Sequence, residues 1–303
     1  MSRTGRVIIN DIDIYTEYGA RVDNAGYDSL IEYPPLKPVR SNNWVEEDGI
    51  EPDLSDIKLD SKEVTLKFHC LGVTSHVEGL YALLTSSPLI EISFAEISRE
   101  FTLRVKSMPS LSYCKSFKTI TVGFVAVNPL EWCTSDTPSS TLIANDSFKI
   151  DGVNISAYGV KVLRGSIDSS IICPDVKQLL VRNISTQDGE TYDDNPRVYS
   201  GGQWSQSSVH GQVKKTSKEI SLHLLLQAQN CAAAWINYDA LLSKLVEINS
   251  HAQDITLAGA RSLYIKELDR TVKCYYKGQS VQKFRLIAGR VWLEFTVTLV
   301  QFD

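Results

Sequence analysis

With 303 residues the chain exceeds one ordinary domain and suits two, and its 43% hydrophobic and 22% charged residues exclude a disordered polymer. A net charge of -5, with lysine and arginine scattered in short pairs such as Lys214-Lys215, excludes a protein whose work is gripping phosphate backbones. Residues 1–5 are polar with no apolar stretch after them, and no apolar run approaches the roughly 18 residues of a membrane span, so neither a secretion leader nor a transmembrane helix is expected.

In chain order, apolar/polar alternation predicts strands over 6–14, 57–68, 90–97, 101–105 and 117–127. A second series follows over 155–162, 219–226, 263–265, 272–276 and 291–302. Each series is interrupted by one helix. Residues 232–246 place Trp235, Tyr238, Leu242 and Leu245 at spacings of three and four, an apolar stripe able to lie on a sheet. Its shorter counterpart, 75–86, ends before Pro88, where the preceding residue is driven out of helix.

The two series echo one another. Residues 9–22 (INDIDIYTEYGARV) match 150–162 (IDGVNISAYGVKV) around a shared Tyr-Gly, Tyr18-Gly19 and Tyr158-Gly159. EVTLKF at 63–68 is matched by EISLHL at 219–224, and YALL at 81–84 by DALL at 239–242. With the closing alternating strands, 117–127 against 291–302, four echoes in one order point to a duplicated unit. Pro129, Pro138 and a Ser/Thr/Asp cluster punctuate the chain between the copies. The expected division is a first β domain at 1–130, a linker at 131–146 and a second, longer, homologous domain at 147–303. The expected fold class is mainly β with one helix per domain, two tandem and similar β-sandwich or split-barrel domains.

Two polar segments, 46–56 and 186–202, interrupt the copies at equivalent places and read as surface excursions. Their candidate contact residues are Trp44, Glu46, Glu47, Asp48 and Asp53 in the first, and Tyr192, Asp193, Arg197 and Trp204 in the second. Trp44 and Trp204 flank the excursions and could pack an arm's base or a neighbouring subunit, whereas Trp235 and Trp292 lie in apolar periodic stretches and are expected in the core.

Nothing in the sequence assembles chemistry. The five histidines, His69, His76, His210, His223 and His251, show no metal-binding spacing, and the six cysteines include no CxxC pair, so reduced and mostly buried thiols are expected. GxSxG, GxxxxGK[ST] and GxGxxG are absent; Gly201-Gly202-Gln-Trp-Ser205 lacks the second glycine of a nucleophile elbow. The carboxylates between Glu46 and Asp56 could be imagined as a calcium site or a glycosidase pair, but the stretch lacks the apolar walls that raise a catalytic pKa, and a solvated loop is the simpler reading. No catalytic, metal or cofactor residue is therefore assigned, and no enzyme is expected.

The order of a short strand, an Ile-Asp-Gly turn, Tyr-Gly and a further strand, as at 150–160, resembles the opening of distal-tail proteins of long-tailed phages; the first copy matches more loosely, with Asn10-Asp11 lacking the glycine. A long polar arm, an alternating strand, one helix and returning strands then follow in both copies, which is similar to the phage tail-tube fold. The resemblance implies a virion structural protein, made in the bacterial host cytoplasm and residing in the tail. It further implies rings of six domains around a DNA channel, here a trimer of two-domain chains, with arms 45–58 and 186–204 touching neighbours. DNA would be passing cargo, and other tail proteins would be partners. A tandem β-sandwich module binding carbohydrate or a cell surface is the alternative, and it would carry a ring of exposed aromatic residues.

Overall fold

The computed structural model describes residues 5–23, 28–44, 49–71, 74–107, 111–113, 118–126, 137–139, 148–163, 176–177, 214–215 and 217–302. The expected linker, 131–146, lies almost wholly outside them.

In the first unit, β1 (Ile8–Ile9) and β2 (Ile12–Asp13) form a hairpin. Helix α1 (Ile14–Tyr18) begins on the Asp13 carboxylate, which accepts the Tyr15 N–H at 2.9 Å, and ends on Gly19. After β3 (Ala20–Val22) come a helical turn, α2 (Asp28–Ile31), and the small pair β4 (Ser41–Asn42) and β5 (Glu51–Pro52). The long strand β6 (Lys62–Cys70) leads to α3 (Thr74–Thr85), then β7 (Ile90–Phe94), β8 (Arg99–Ser107), β9 (Leu111–Tyr113) and β10 (Lys118–Ala126).

The second unit repeats this order. β11 (Phe148–Ile150) and β12 (Val153–Asn154) form its hairpin, followed by a 3-10 turn at Ile155–Tyr158 and β13 (Val160–Val162). The pair β14 (Val176–Lys177) and β15 (Lys214–Lys215) precedes β16 (Lys218–Ala228), α4 (Cys231–Val246), β17 (Arg261–Ile265), β18 (Arg270–Ile287) and β19 (Arg290–Gln301).

Two antiparallel sheets result. The first runs β2-β1-β7-β8-β10-β6-β3, with β9 also on β10, and the second runs β12-β11-β17-β18-β19-β16-β13. Substituting each strand by its counterpart converts one order into the other. The fold is mainly β, with two similar units, as the alternation and the echoes predict. Alternation misleads at two places: Ile14 and Ile155, expected inside strands, start helical turns, because the preceding hairpins have already turned the chain. Short helices α1 and α2 are additions to the expected single helix per unit.

Three local devices recur at matching positions and explain the echoes physically. Each opening hairpin turns on two residues of positive φ, Asn10 (46°) and Asp11 (64°) in one unit, Asp151 (48°) and Gly152 (81°) in the other. The side chain at the first of these accepts a backbone N–H of the next strand: Asn10 from Glu91 at 2.9 Å, Asp151 from Ser262 at 2.8 Å. Each Tyr-Gly ends a helical turn on a left-handed glycine, whose carbonyl then accepts a strand amide: Gly19 from Leu71 and Gly159 from Gln227, both at 3.0 Å. The third device is a bulge, where β8 shifts register against β10 at Lys106 and β18 shifts against β19 at Lys277. Each bulged lysine pairs with the glutamate one place along the partner strand's neighbour, Lys106 with Glu63 and Lys277 with Glu219.

The buried faces of both sheets merge. Phe68, Leu80, Leu84, Phe94, Phe101 and Phe124 of the first unit belong to one apolar cluster with Trp235, Tyr238, Leu242, Phe284 and Phe295 of the second. Each such side chain, fully buried, contributes about 1.5–3 kcal/mol. Trp235 is 7% exposed and stacks on Phe284, as its periodic position predicts, whereas Trp292 is only half-buried on the outer face of β19. Of the cysteines, Cys70 and Cys274 are buried and Cys231 half-buried, all as free thiols; Cys114, Cys133 and Cys173 lie outside the described residues.

Candidate functional site

Among the described residues no group of three or more His, Cys, Asp or Glu side chains could hold a metal ion. His69 and His223 occupy strand positions and bond across to Thr119 and Thr296 at 3.0 and 2.8 Å. The large exposed aromatic residues among those described are Trp44 and Tyr81, one on the arm and one on α3, which is not a ring. No described helix is long and apolar enough to cross a membrane.

A buried polar cluster lies instead where the two units meet. Helix α4 starts on Asn230, whose side chain caps the Ala233 N–H at 2.8 Å, and its apolar face lies on the second sheet. Its Trp235–Asp239 turn also faces the first unit. The Trp235 indole N–H donates to the Ile97 carbonyl at 2.6 Å, and the Arg99 guanidinium pairs with the Asp239 carboxylate at 3.0 Å while lying over the Trp235 ring. Tyr33 stacks on Tyr238, with ring centres 4.4 Å apart, and its hydroxyl donates to Asp239. The Tyr238 hydroxyl donates to the Ile31 carbonyl at 3.2 Å, and burial holds its pKa well above the usual tyrosine value, so it remains a neutral donor.

This contact belongs to an arm that leaves the first sheet after β3 and returns at β6. Residues 33–44 and 49–60 run along the second unit, tied to each other by bonds from Lys37 N–H to Lys58 O and Asp53 N–H to Arg40 O, both 2.8 Å. Leu36 N–H reaches the carbonyl of the bulged Lys277 at 2.8 Å, the Tyr276 hydroxyl donates to Pro34 O at 3.1 Å, and Glu32 accepts the Val281 N–H at 2.9 Å. Further out, Leu54 N–H bonds Thr256 O at 2.7 Å, Gly259 N–H returns to Leu54 O at 3.0 Å, and Leu54 is fully buried. The β18 bulge turns a ladder carbonyl outward, and the arm takes it.

Of the residues singled out in the sequence, Trp44 is 53% exposed near the arm tip and donates its indole N–H to Glu51 at 2.9 Å across the β4–β5 pair. Asp53 is exposed; the Ser55 hydroxyl at 2.6 Å and the Ser55 N–H hold its carboxyl below the ordinary value. Both bonds are local to the arm. Glu46, Glu47, Asp48, Tyr192, Asp193, Arg197 and Trp204 lie outside the described residues. The residues that seat the arm, Tyr33, Pro34, Leu36 and Leu54, are not among those singled out; Leu30, Ile31, Tyr33, Pro34 and Pro35 before a polar excursion were the available signal.

Lys62 lies under the arm's base. It is 5% exposed and donates to the carbonyls of Leu30, at 3.0 Å, and of Glu32. Burial, partly offset by the Glu32 charge and reinforced by Arg99, lowers its pKa to about 7. Between that value and the ordinary lysine value the unfolded chain binds more protons than the folded one. Stability should therefore climb as pH rises from neutrality toward 10, by at most about 1.4 kcal/mol per pH unit from this group. Denaturation midpoints across that window should show the rise in the native chain and a flatter profile in Lys62→Met.

No protein-family model matches the chain, and no curated protein matches it. Among solved structures, the chain is similar to the SPP1 Dit (gp 19.1) protein, described as a paradigm of the hub adsorption apparatus in phages infecting Gram-positive bacteria. The match covers 98% of this chain and 99% of that one at 12% identity, with a TM-score of 0.31. A likeness of that quality carries no argument about function.

Proposed function

We propose that the chain is a structural component of a phage tail, of the distal-tail or tail-tube kind, and that three chains close a ring of six units around a DNA channel. It works through shape and contact and performs no catalysis. The observation that carries this reading is the head-to-tail contact inside the chain: the first unit's arm and its β7–β8 turn (Phe94–Arg99) sit on a different surface of the second unit, α4 and β18. Equivalent units joined through unlike surfaces either propagate without end or close a ring. The Tyr-Gly opening of both units supports the tail family as the setting, and the acidic balance suits a lumen that lets DNA pass.

Native mass spectrometry over a concentration series, with negative-stain micrographs, tests the reading. Trimers and rings of six densities are expected, together with no salt-dependent DNA retention in a filter assay. A strict monomer at every concentration, or a two-fold dimer that buries the same patch from both copies, would sink it.

A further inference from the structure

The internal join has an exposed counterpart at the opposite ends of the chain. By sheet register the β7–β8 turn corresponds to the β17–β18 turn: Phe94 pairs with Arg99 and Ile265 with Arg270, and both loops close on a left-handed residue, Ser98 (φ 50°) and Asp269 (φ 43°). Arg270 thus stands where Arg99 stands. On the helices, YALL and DALL place Leu84 with Leu242, both 1% exposed, and therefore Tyr81 with Asp239. Burial then separates the two joins. Asp239 is 2% exposed beneath the β7–β8 turn, whereas Tyr81 is 48% exposed; Lys266, Glu267 and Asp269 are exposed as well.

We propose that the face of α3 around Tyr81 receives the β17–β18 turn, Lys266 to Arg270, of a second copy of this chain, as α4 receives the β7–β8 turn within one chain. This rests on the ring reading and names its contact between chains. Chemistry at the two ends is complementary. Arg270 meets the Tyr81 ring face in place of the Arg99–Asp239 ion pair, with exposed Glu78 three residues earlier on the same face of α3 to accept basic groups of the turn. The internal join hides a charge pair and stacked rings, whereas the external contact offers exposed polar groups and a single aromatic ring.

The test places the photo-crosslinking residue p-benzoylphenylalanine at position 81 in an equimolar mixture of isotopically heavy and light full-length chains, irradiated up to the solubility limit. Heavy–light crosslinks into 266–270 are expected. Crosslinks from position 81 to another part of a second copy, or none while native mass spectrometry shows oligomers, overturn this contact and leave the ring intact. Absence of any oligomer overturns both. A Tyr81→Arg chain, which sets a like charge against Arg270, should melt as the native chain does because position 81 is exposed, and should self-associate about tenfold more weakly or worse. Unchanged self-association in that variant also overturns the contact.

Discussion

Gly19→Ala should lower stability by about 3 kcal/mol or more. Gly19 sits at φ 58°, where an L side chain is strained, and a β-carbon there would lie 2.4 Å from the Leu71 carbonyl oxygen. That oxygen belongs to backbone just beyond β6, so relief requires the edge strand β3 to move. Gly159→Ala is the internal control. Its φ of 67° imposes a similar conformational cost, but the added carbon meets the Asn237 side-chain nitrogen at 2.9 Å and the Gln227 carbonyl at 3.1 Å, of which the first can swing away. A smaller loss, about 1–2 kcal/mol, is expected there. Urea midpoints of both variants decide the matter; equal losses would show that clash with backbone is not what makes the first Tyr-Gly rigid.

Asp239→Ala should cost about 3–5 kcal/mol, because it leaves the Arg99 guanidinium, 9% exposed, without its counter-charge inside the join. The same change takes the acceptor from the Tyr33 hydroxyl and loosens the stack of Tyr33 on Tyr238. Since one apolar cluster runs through both units, the native chain is expected to unfold in a single transition. Calorimetry of Asp239→Ala should instead resolve two transitions, one for each unit. The paired change Arg99→Met with Asp239→Leu, which removes both charges, should restore most of the lost stability. If the paired variant is as unstable as Asp239→Ala, the ion pair itself, and not the stranded charge, holds the units together.

Much of the architecture was legible before any coordinate. Alternation located β6, β10, β16 and β19, because a half-buried strand writes its two faces directly into sequence as period two. The helices were legible to within one residue, α4 from spacings of three and four and α3 as its shorter counterpart ending before Pro88. Tyr-Gly marked matching places because only glycine accommodates the left-handed turn against the Leu71 carbonyl. Less visible were the turns at Ile14 and Ile155, where a hairpin of two residues reverses the chain and breaks the face count that alternation relies on.

The candidate site was legible only in outline. The first polar excursion announced an arm, yet the residues that seat it are the apolar and aromatic ones before it, Tyr33 and Leu36, and their partners are over 200 positions away. Asp239 read as one polar residue in an amphipathic helix, since burial of a carboxylate depends on a partner that no local pattern announces.

By itself the sequence determined the repeated unit, its strands, its helices and its left-handed turns, because these follow from local sterics and from the period with which side chains meet a nearby apolar face. Only the tertiary structure decided that the first arm lies on the second unit of the same chain and that Asp239 is buried while Tyr81 is not. Those outcomes rest on contacts between distant segments, whose free energy depends on shape and charge brought together in space and leaves no periodic trace along the chain.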